Sequence, residues 1–437
     1  MSKRFRPSLS ISFLLIIAST SLVNRVFSQA PGIKAVVREG VAGASALLEE
    51  AAQLRGLKVL RPVSSGMKTR TEIEAIVIKD FDESSTPDEI EAQRKMLVAF
   101  GLIPKDFRYR EFIISLLTEQ VAGFYEAKSR EFFLADWNDP EMAKPVIVHE
   151  LTHALQDQHF DLRRFEKWPR GDGDRELAIH ALIEGDATAV MINYVLKPSG
   201  MDITRLPMSL TSLNETMSAE SAGDREKVLA SAPPAIRESL LFPYSFGAGF
   251  VQEVVRRQKW EGLSRAYTDL PQSTEQIMHI EKYLARENPA RIEPASLLSI
   301  LGPEWKRLAD DVTGEFGYFL ILTPYLPKAE AREAAAGWGA DRAVLYENIQ
   351  TGELLLAHIS DWDSAGEAGE FFRAYVTRVS KRYDGRNPVG AEGNRRTFAN
   401  SQASSMIEQR GQRVVAIEGV PTALSVRMGR LAAALWK

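Results

Sequence analysis

Apolar residues in the N-terminal part of the chain recur mainly at helical spacing. Residues 44–54 follow the pattern of a short amphipathic helix, whereas residues 72–79 alternate charged and apolar side chains, as a strand does. A further helix begins at Thr86-Pro87-Asp88-Glu89, because threonine caps a helix, proline fits its first position and acidic residues favour its positive end. We expect this helix to end by Gly101, and another to occupy residues 106–119.

Residues 120–194 predict a hairpin followed by two helices. Apolar runs on both sides of a polar turn, at residues 120–136, favour the hairpin. A helix that starts at Pro145 is apolar at positions 146, 148, 151, 154 and 155, so it is expected to be buried. After a loop rich in Gly and Asp, Asp174 caps a helix that continues to Tyr194. The hairpin offers either an edge strand that pairs with an extended substrate or an ordinary piece of core, and the sequence leaves both interpretations open.

Residues 300–437 alternate helical and strand-like segments, and a loop rich in Pro and Glu separates them from the rest. The predicted helices are 305–324, 328–338, 363–382 and 422–436, and the predicted strands are 343–347, 354–360, 404–409 and 413–418. This alternation predicts a two-layer unit, in which His358 is structural because no partner stands at ligand spacing. The expected fold class is α+β: a mainly helical domain with a small sheet, residues 29–295, followed by a C-terminal α+β domain, residues 300–437.

Charge and composition exclude several classes of partner. The 437 residues include 54 basic and 58 acidic side chains, which gives a net charge of -4. The chain therefore lacks the excess of basic residues that binding to nucleic acid or to an anionic membrane requires. Residues 1–28 are typical of a secretory signal peptide, and their apolar run is too short for a stable membrane span. We therefore expect an exported protein, periplasmic or extracellular, whose signal peptide is cleaved; an uncleaved anchor is the competing interpretation. Because cysteine is absent, a metal site must use His, Asp and Glu.

The most specific chemical pattern is His149-Glu150-Leu151-Thr152-His153 on the predicted central helix. Residues four apart share a helix face, so both imidazoles can bind one zinc ion. Glu150 projects beside them, where it can act as general base without being a ligand. The chain has only six histidines, which makes this spacing rare by chance. A buried structural histidine pair is the competing interpretation.

A catalytic zinc ion needs a third protein ligand and one open position, and two residues are candidates. His159 extends the pattern to metzincin spacing, but Gln156 stands where that family has the glycine at which the chain leaves the helix. Glu184 lies on the following helix, as the carboxylate ligand does in gluzincins. We favour Glu184, because a helix that continued past Gln156 would carry His159 away from the metal. His180, one turn before Glu184, is interpreted as a second-sphere or packing residue.

The two residues directly after Glu184, Gly185 and Asp186, also indicate how this helix packs. Glycine costs about 1 kcal/mol in a helix interior relative to alanine, so Gly185 predicts a close helix contact, for which the zinc helix is the expected partner. Asp186 points away from Glu184, and it either orients a ligand histidine or faces solvent.

Several segments together resemble a group of uncharacterised, secreted bacterial zinc metallopeptidases of the gluzincin type. The matching segments are HELTHALQDQHFD at 149–161, ALIEGDA at 181–187, FPYxxG at 242–247, PQSTEQIMH at 271–279 and GWGADR at 337–342. The resemblance runs from about Gly123 to the C-terminus. It implies zinc bound by His149, His153 and Glu184, with Glu150 as the base, and it implies no particular substrate.

The resulting hypothesis is hydrolysis of peptide bonds by a zincin-like domain. Zinc activates a water, and Glu150 removes its proton and passes it to the leaving amine. His279, Tyr244 and Tyr283 are candidate donors to the oxyanion, although Ile280 follows His279 where the resemblance leads us to expect proline. The substrate would be a protein or peptide, the peptide part of peptidoglycan included. The alternative is an exported binding or assembly protein with a structural or degenerate zinc helix.

Overall fold

The computed structural model describes residues 43–137, 140–165, 171–212, 227–382 and 387–437, and the fold is α+β. The fold class expected from the sequence is therefore confirmed. The segment interpreted as a signal peptide lies outside the described residues. Within the described ranges, no helix combines the length and the apolar character that crossing a membrane requires.

Helices dominate the described part of the chain before residue 290. They are α1 (Ala44–Arg55), α2 (Arg70–Ser84), α3 (Pro87–Phe100), α4 (Tyr109–Gln120), α5 (Pro140–Phe160), α6 (Gly173–Leu196), α7 (Lys227–Ser231), α8 (Pro234–Ala266), α9 (Thr274–Met278) and α10 (Ile280–Ala285). Short 3-10 turns occupy Leu162–Phe165, Lys197–Ser199 and Ile203–Arg205. The predicted limits of α3 are confirmed: Thr86 caps its start, and Gly101 ends it with a left-handed φ of 77°.

Residues 72–79 lie within α2, so the predicted strand is wrong. The Thr69 hydroxyl accepts a hydrogen bond from the Glu72 amide, while the Glu72 carboxylate accepts one from the Thr69 amide. This reciprocal capping box begins the helix. One face of the helix is buried through residues four apart: Ile73, Val77 and Phe81. The cap and this spacing outweigh a short alternation of charged and apolar residues.

Two helix starts differ from the predicted positions. The central helix α5 begins at Pro140, so Pro145 lies inside it instead of at its start. Helix α6 begins at Gly173, and its N-cap is Asp172, whose carboxylate accepts a hydrogen bond from the Arg175 amide. Asp174 is therefore a first-turn residue of α6, and its carboxylate is available for contacts outside the helix.

The predicted hairpin is present and lies beside the motif helix. Strands β1 (Ser64–Lys68), β2 (Gly123–Glu126) and β3 (Glu131–Ala135) form a sheet in the order β1-β3-β2. The hairpin strands β2 and β3 are antiparallel, and β1 runs parallel to β3. Strand β2 is an edge of this sheet. It packs closely on α5, as the space at Gly123 shows: a Cβ there would lie 3.3 Å from Cγ of Glu150.

The C-terminal part is built on an antiparallel sheet. Its strands are β4 (Trp305–Asp311), β5 (Trp338–Asn348), β6 (Leu354–Trp362), β7 (Gly390–Glu392), β8 (Arg395–Ala399), β9 (Ala403–Arg410) and β10 (Arg413–Pro421). They lie in the order β4-β5-β6-β10-β9-β8-β7. The helices are α11 (Leu298–Leu301), α12 (Gly314–Leu322), α13 (Lys328–Ala335), α14 (Ala365–Arg382) and α15 (Met428–Leu435), with a 3-10 turn at Thr422–Arg427.

Residues 305–311 form β4, so the helix predicted over 305–324 is wrong in its first part. Strand β4 pairs with β5, which lies far along the chain, and this long-range pairing leaves no local periodicity. His358 on β6 is fully buried, and its Nε2 lies 2.8 Å from the Tyr375 hydroxyl. Burial lowers the pKa of His358 to about 4. Its surroundings agree with the predicted structural role.

The helical part and the C-terminal sheet share one core. A single cluster of buried apolar residues includes Phe100 of α3, Leu182 of α6, Phe242 of α8, Phe316 of α12 and Ile407 of β9. Helix α6 lies at the centre of this arrangement and packs on α1, α5 and α8. The domain limits near residues 295–300 stay a prediction. Helix α6, which carries Glu184, shares this core with the C-terminal sheet, whereas the buried apolar residues of α5 belong to a separate cluster with α1 and the hairpin.

Candidate metal site

Helices α5 and α6 bring three side chains to one point. His149 and His153 lie one turn apart on α5, and Glu184 faces them from α6. The Nε2 atoms of the two histidines are 3.2 Å apart. Oε2 of Glu184 is 3.3 Å from Nε2 of His149 and 3.5 Å from Nε2 of His153. All three side chains are buried. Together they form a group that could hold a metal ion.

These three atoms have the spacing of ligands around one ion. In a tetrahedral zinc site with bonds of about 2.0–2.1 Å, neighbouring ligand atoms are separated by roughly 3.3–3.4 Å. The measured separations run from 3.2 to 3.5 Å. Two imidazole nitrogens and one carboxylate oxygen are also a common donor set for zinc and related cations. The residues therefore fit a metal ion in both distance and chemistry.

The protonation states also suit a metal ligand set. Burial lowers the pKa of His149, which favours the neutral imidazole that metal binding requires. Burial by itself raises the pKa of Glu184, but the neighbouring imidazoles of His153 and His149 outweigh it and hold the pKa at about 2. The low pKa of Glu184 depends on imidazoles that carry a proton, and a metal ion would replace those protons as the positive charge at this point.

Gln156 fixes the orientation of His153. Its side-chain oxygen lies 2.8 Å from Nδ1 of His153, and its side-chain amide donates to the Ile183 carbonyl on α6 at 3.0 Å. Because that second bond fixes the amide direction, the oxygen accepts from Nδ1–H, and Nε2 keeps its lone pair for a metal. Sequence reasoning missed this role and treated Gln156 only as a departure from glycine. The available signal was its position three residues after His153, on the same helix face.

Close contact between α6 and α8 explains Gly185. A Cβ at Gly185 would lie 2.2 Å from the carbonyl carbon of Gly247, and a Cβ at Gly247 would lie 2.1 Å from the Ala181 oxygen. These distances are far inside van der Waals contact, so neither position accepts a side chain. The expected close packing is present, but its partner is α8 and not the motif helix α5. This contact holds the backbone of α6 against α8 at the residue next to Glu184.

Asp186 belongs to a buried polar cluster behind the site. Its carboxylate accepts from Nε of Arg55 at 2.6 Å and from the Tyr267 hydroxyl at 2.9 Å. The side chains of Arg55 and Asp186 are completely buried. Neither role expected for Asp186, orienting a ligand histidine or facing solvent, describes these contacts. The ion pair instead joins α6 to α1. Loss of either partner would leave the other charge buried and uncompensated, which is destabilising.

Glu150 is buried next to the three candidate ligands. Its exposed fraction is 0%, and neither carboxylate oxygen makes a hydrogen bond of ordinary geometry among the described residues, although the Tyr125 amide is close enough to lower its pKa in part. Burial raises the pKa of Glu150 well above its usual range, and the charge of Glu184 adds to this effect. A buried carboxylate without partners is costly to the fold. Such a group calls for an explanation, and a catalytic role is one of those that account for it.

The rival third ligand lies away from the site. Helix α5 continues without a turn at Gln156 and ends at Phe160. His159 is consequently carried off the metal-facing side, and its Nε2 lies 2.8 Å from the Lys58 carbonyl oxygen. His180 is half-buried on α6 and lines an apolar cavity that also reaches Glu184. The structure thus brings Glu184, and not His159, to the two motif histidines.

Of the three candidate oxyanion donors, Tyr244 is the one placed against a motif histidine. Its ring lies 6.3 Å from that of His149 between centroids, with 28° between the planes. The Tyr283 hydroxyl donates to the Asp269 carbonyl at 2.9 Å, and Nε2 of His279 lies 2.8 Å from the Glu315 carboxylate. Both of these groups are therefore engaged in contacts of their own.

Replacing Glu184 by alanine is expected to weaken zinc binding at least about 100-fold, because loss of a direct ligand should exceed the 10–100-fold loss typical of second-sphere changes. The matched control is His159→Ala, which should bind zinc within about twofold of the unchanged protein. Competition with a chromophoric chelator measures both affinities, and circular dichroism verifies folding. The opposite ranking of the two variants would make His159 the third ligand.

Comparison with known proteins reaches only the C-terminal part. Residues 304–428 match a family described as Domain of unknown function (DUF8575). No curated protein and no solved structure matches the chain. The matched segment contains β4 to β10 and does not include His149, His153 or Glu184.

Proposed function

We propose that this protein is a zinc-dependent peptidase with a zincin-like site, exported from the cell. The observation that carries the proposal is the convergence of His149, His153 and Glu184 within 3.5 Å of one another, beside the buried and unpartnered carboxylate of Glu150. Metal-assisted hydrolysis requires at least a metal ion that activates water and a general base beside it.

Zinc is the metal that the donor set favours. The chain has no cysteine, so a thiolate site is excluded, and two imidazoles with one carboxylate are the ligands of known zinc peptidases. When bound, zinc would activate a water molecule and polarise a carbonyl group. Structural zinc sites almost always have four protein ligands, whereas the group formed by the described residues has three. This difference favours a catalytic site over the alternative of a binding protein with structural zinc.

The chain's own groups supply the remaining steps. Glu150 accepts a proton at its carboxylate from the attacking water and then delivers it to the leaving nitrogen. Gln156 keeps the ring of His153 in a fixed orientation, so the ligand geometry is set before substrate arrives. Tyr244, against His149, is the candidate donor for the developing oxyanion.

An edge strand beside the base suggests how a peptide would bind. Strand β2 has a partner strand on one side only, and Gly123 places its backbone close to Glu150. An extended peptide can pair with the backbone of such an edge, which would align a backbone carbonyl with the site. A protein or peptide is therefore the proposed substrate class.

The proposal is tested by removing and restoring the metal. Protein purified with a chelator should show no hydrolysis of denatured casein, and addition of Zn²⁺ should restore it at one zinc per chain. Elemental analysis gives the stoichiometry, and released peptides give the activity. A protein that binds no zinc would refute the proposal. One that binds one zinc tightly but cleaves no peptide would support the binding-protein alternative.

A further inference from the structure

An apolar cavity lies against the candidate metal site. Its volume is about 210 Å³, and helices α3, α4, α6, α8 and α12 form its walls. Its apolar lining includes Leu97, Leu116, Leu117, Ile236, Phe316 and Leu320. Glu184 and Tyr244 also line it, and these two residues contact the motif histidines. The cavity and the metal site therefore share a wall.

The charges around the cavity select against most polar ligands. The described residues that line it include no lysine and no arginine, whereas Asp174, Glu184 and His180 are present. Asp174 already accepts hydrogen bonds from the Thr274 amide and hydroxyl. A carboxylate or phosphate deep in the cavity would meet no cationic side chain among these lining residues and would lie near acidic groups. Burial of an uncharged apolar group, in contrast, is favourable.

The volume limits the size of that group. An apolar cavity of about 150 Å³ lined by similar side chains takes one benzene ring. At the same packing, about 210 Å³ has room for roughly eight carbon atoms. The side chains of phenylalanine and leucine are within this limit, and a long acyl chain exceeds it. A large apolar side chain of a peptide is thus the occupant that best matches both chemistry and size.

We propose that this cavity is a specificity pocket, which takes a phenylalanine or leucine side chain of the substrate residue next to the cleaved bond. The inference rests on the proposed peptidase function. Phe316 and Leu320 belong to the segment that matches the family of unknown function, so the C-terminal unit contributes one wall of the pocket. That unit therefore shares in selecting the substrate.

Binding to the metal-free protein tests the pocket independently of catalysis. N-acetyl-phenylalaninamide should bind at least about tenfold more tightly than N-acetyl-alaninamide, since full burial of a large apolar side chain is worth that factor or more. Calorimetry or saturation-transfer NMR measures both. Ala235 lines the cavity, so Ala235→Phe should abolish the preference by filling it, whereas Met208→Phe, which adds a ring at an exposed residue outside it, should not.

A second variant guards against misfolding of the first. Leu320→Ala enlarges the cavity and should shift the preference from phenylalanine towards tryptophan, both in binding and in zinc-dependent cleavage of matched peptides. Equal binding of the phenylalanine and alanine amides would refute the pocket. Tighter binding of lauroyl-glycinamide would refute it in favour of an acyl chain. Hydrolysis without side-chain preference would refute the pocket and support the peptidase function. Selective binding without hydrolysis would support the pocket and refute the peptidase function.

Discussion

Glu150→Gln is expected to lower hydrolysis about 1000-fold and to leave zinc bound. General base catalysis contributes typically 10²–10⁴-fold, and glutamine has the shape of glutamate but cannot accept the proton. Zinc affinity should change little, because the three candidate ligands are His149, His153 and Glu184. The variant also removes a buried, unpartnered carboxylate, so its unfolding free energy should not fall. Peptide cleavage rates, zinc stoichiometry and denaturant unfolding measure the three quantities.

Glu176→Gln is the matched control, since Glu176 is a buried glutamate at the start of α6, two turns or more before Glu184. It should retain both zinc and hydrolysis. Unchanged hydrolysis in Glu150→Gln would place the base elsewhere. Loss of zinc in Glu150→Gln would instead make Glu150 part of the ligand set, with a different role in the site.

The sequence predicts the candidate metal site better than it predicts the surrounding fold. Residues four apart lie on the same face of a helix, so the convergence of His149 and His153 follows from local geometry. Glu184 could be favoured because the rival His159 required a turn for which Gln156 lacks the flexibility of glycine. The observed course of α5 through Phe160 agrees with that reason. Local rules were enough for the two histidines and for the course of α5, but they failed at α2, where a short alternation predicted a strand although the capping box at Thr69 begins a helix.

Features that depend on distant parts of the chain were missed. Residues 305–311 pair with β5, and no local pattern reveals such a partner. The contact of Gly185 with Gly247 could be anticipated as close packing, but not the identity of the second helix. The role of Gln156 depends on the Ile183 carbonyl of another helix, which fixes the direction of the amide. Each of these needs tertiary structure to be seen.

The PQSTEQIMH and GWGADR segments both take part in the contact between the C-terminal part and the start of α6. The Gly173 amide at the start of α6 donates to the Asp311 carboxylate, and Asp174 accepts from Thr274 of the PQST segment. Gly314 lies so close that a Cβ there would be 1.7 Å from Oδ1 of Asp174. Because Glu184 is on the same helix, these contacts also determine where the candidate ligand stands.

Asp341 of the GWGADR segment organises this contact. Its carboxylate accepts hydrogen bonds from the Thr313 amide at 2.9 Å, the Gly314 amide at 2.9 Å and the Trp338 indole at 3.0 Å. Gly314 has a φ of 73°, a conformation that favours glycine, so the loop needs these bonds to keep its shape. The side chain of Asp341 thereby holds the loop that abuts the start of α6.

Asp341→Ala is expected to lower the free energy of unfolding by about 3 kcal/mol or more, because three buried donors lose their acceptor and each costs roughly 1–3 kcal/mol. Denaturant titration of the metal-free protein measures this loss. Asp361→Ala is the control on the same sheet: Asp361 is only partly buried and pairs with Arg413, so its loss should cost about 1 kcal/mol or less. If the two variants unfold at the same denaturant concentration, the loop does not depend on Asp341. If Asp341→Ala is destabilised as expected, zinc affinity should fall with it, since α6 loses a support at the end nearest the C-terminal unit.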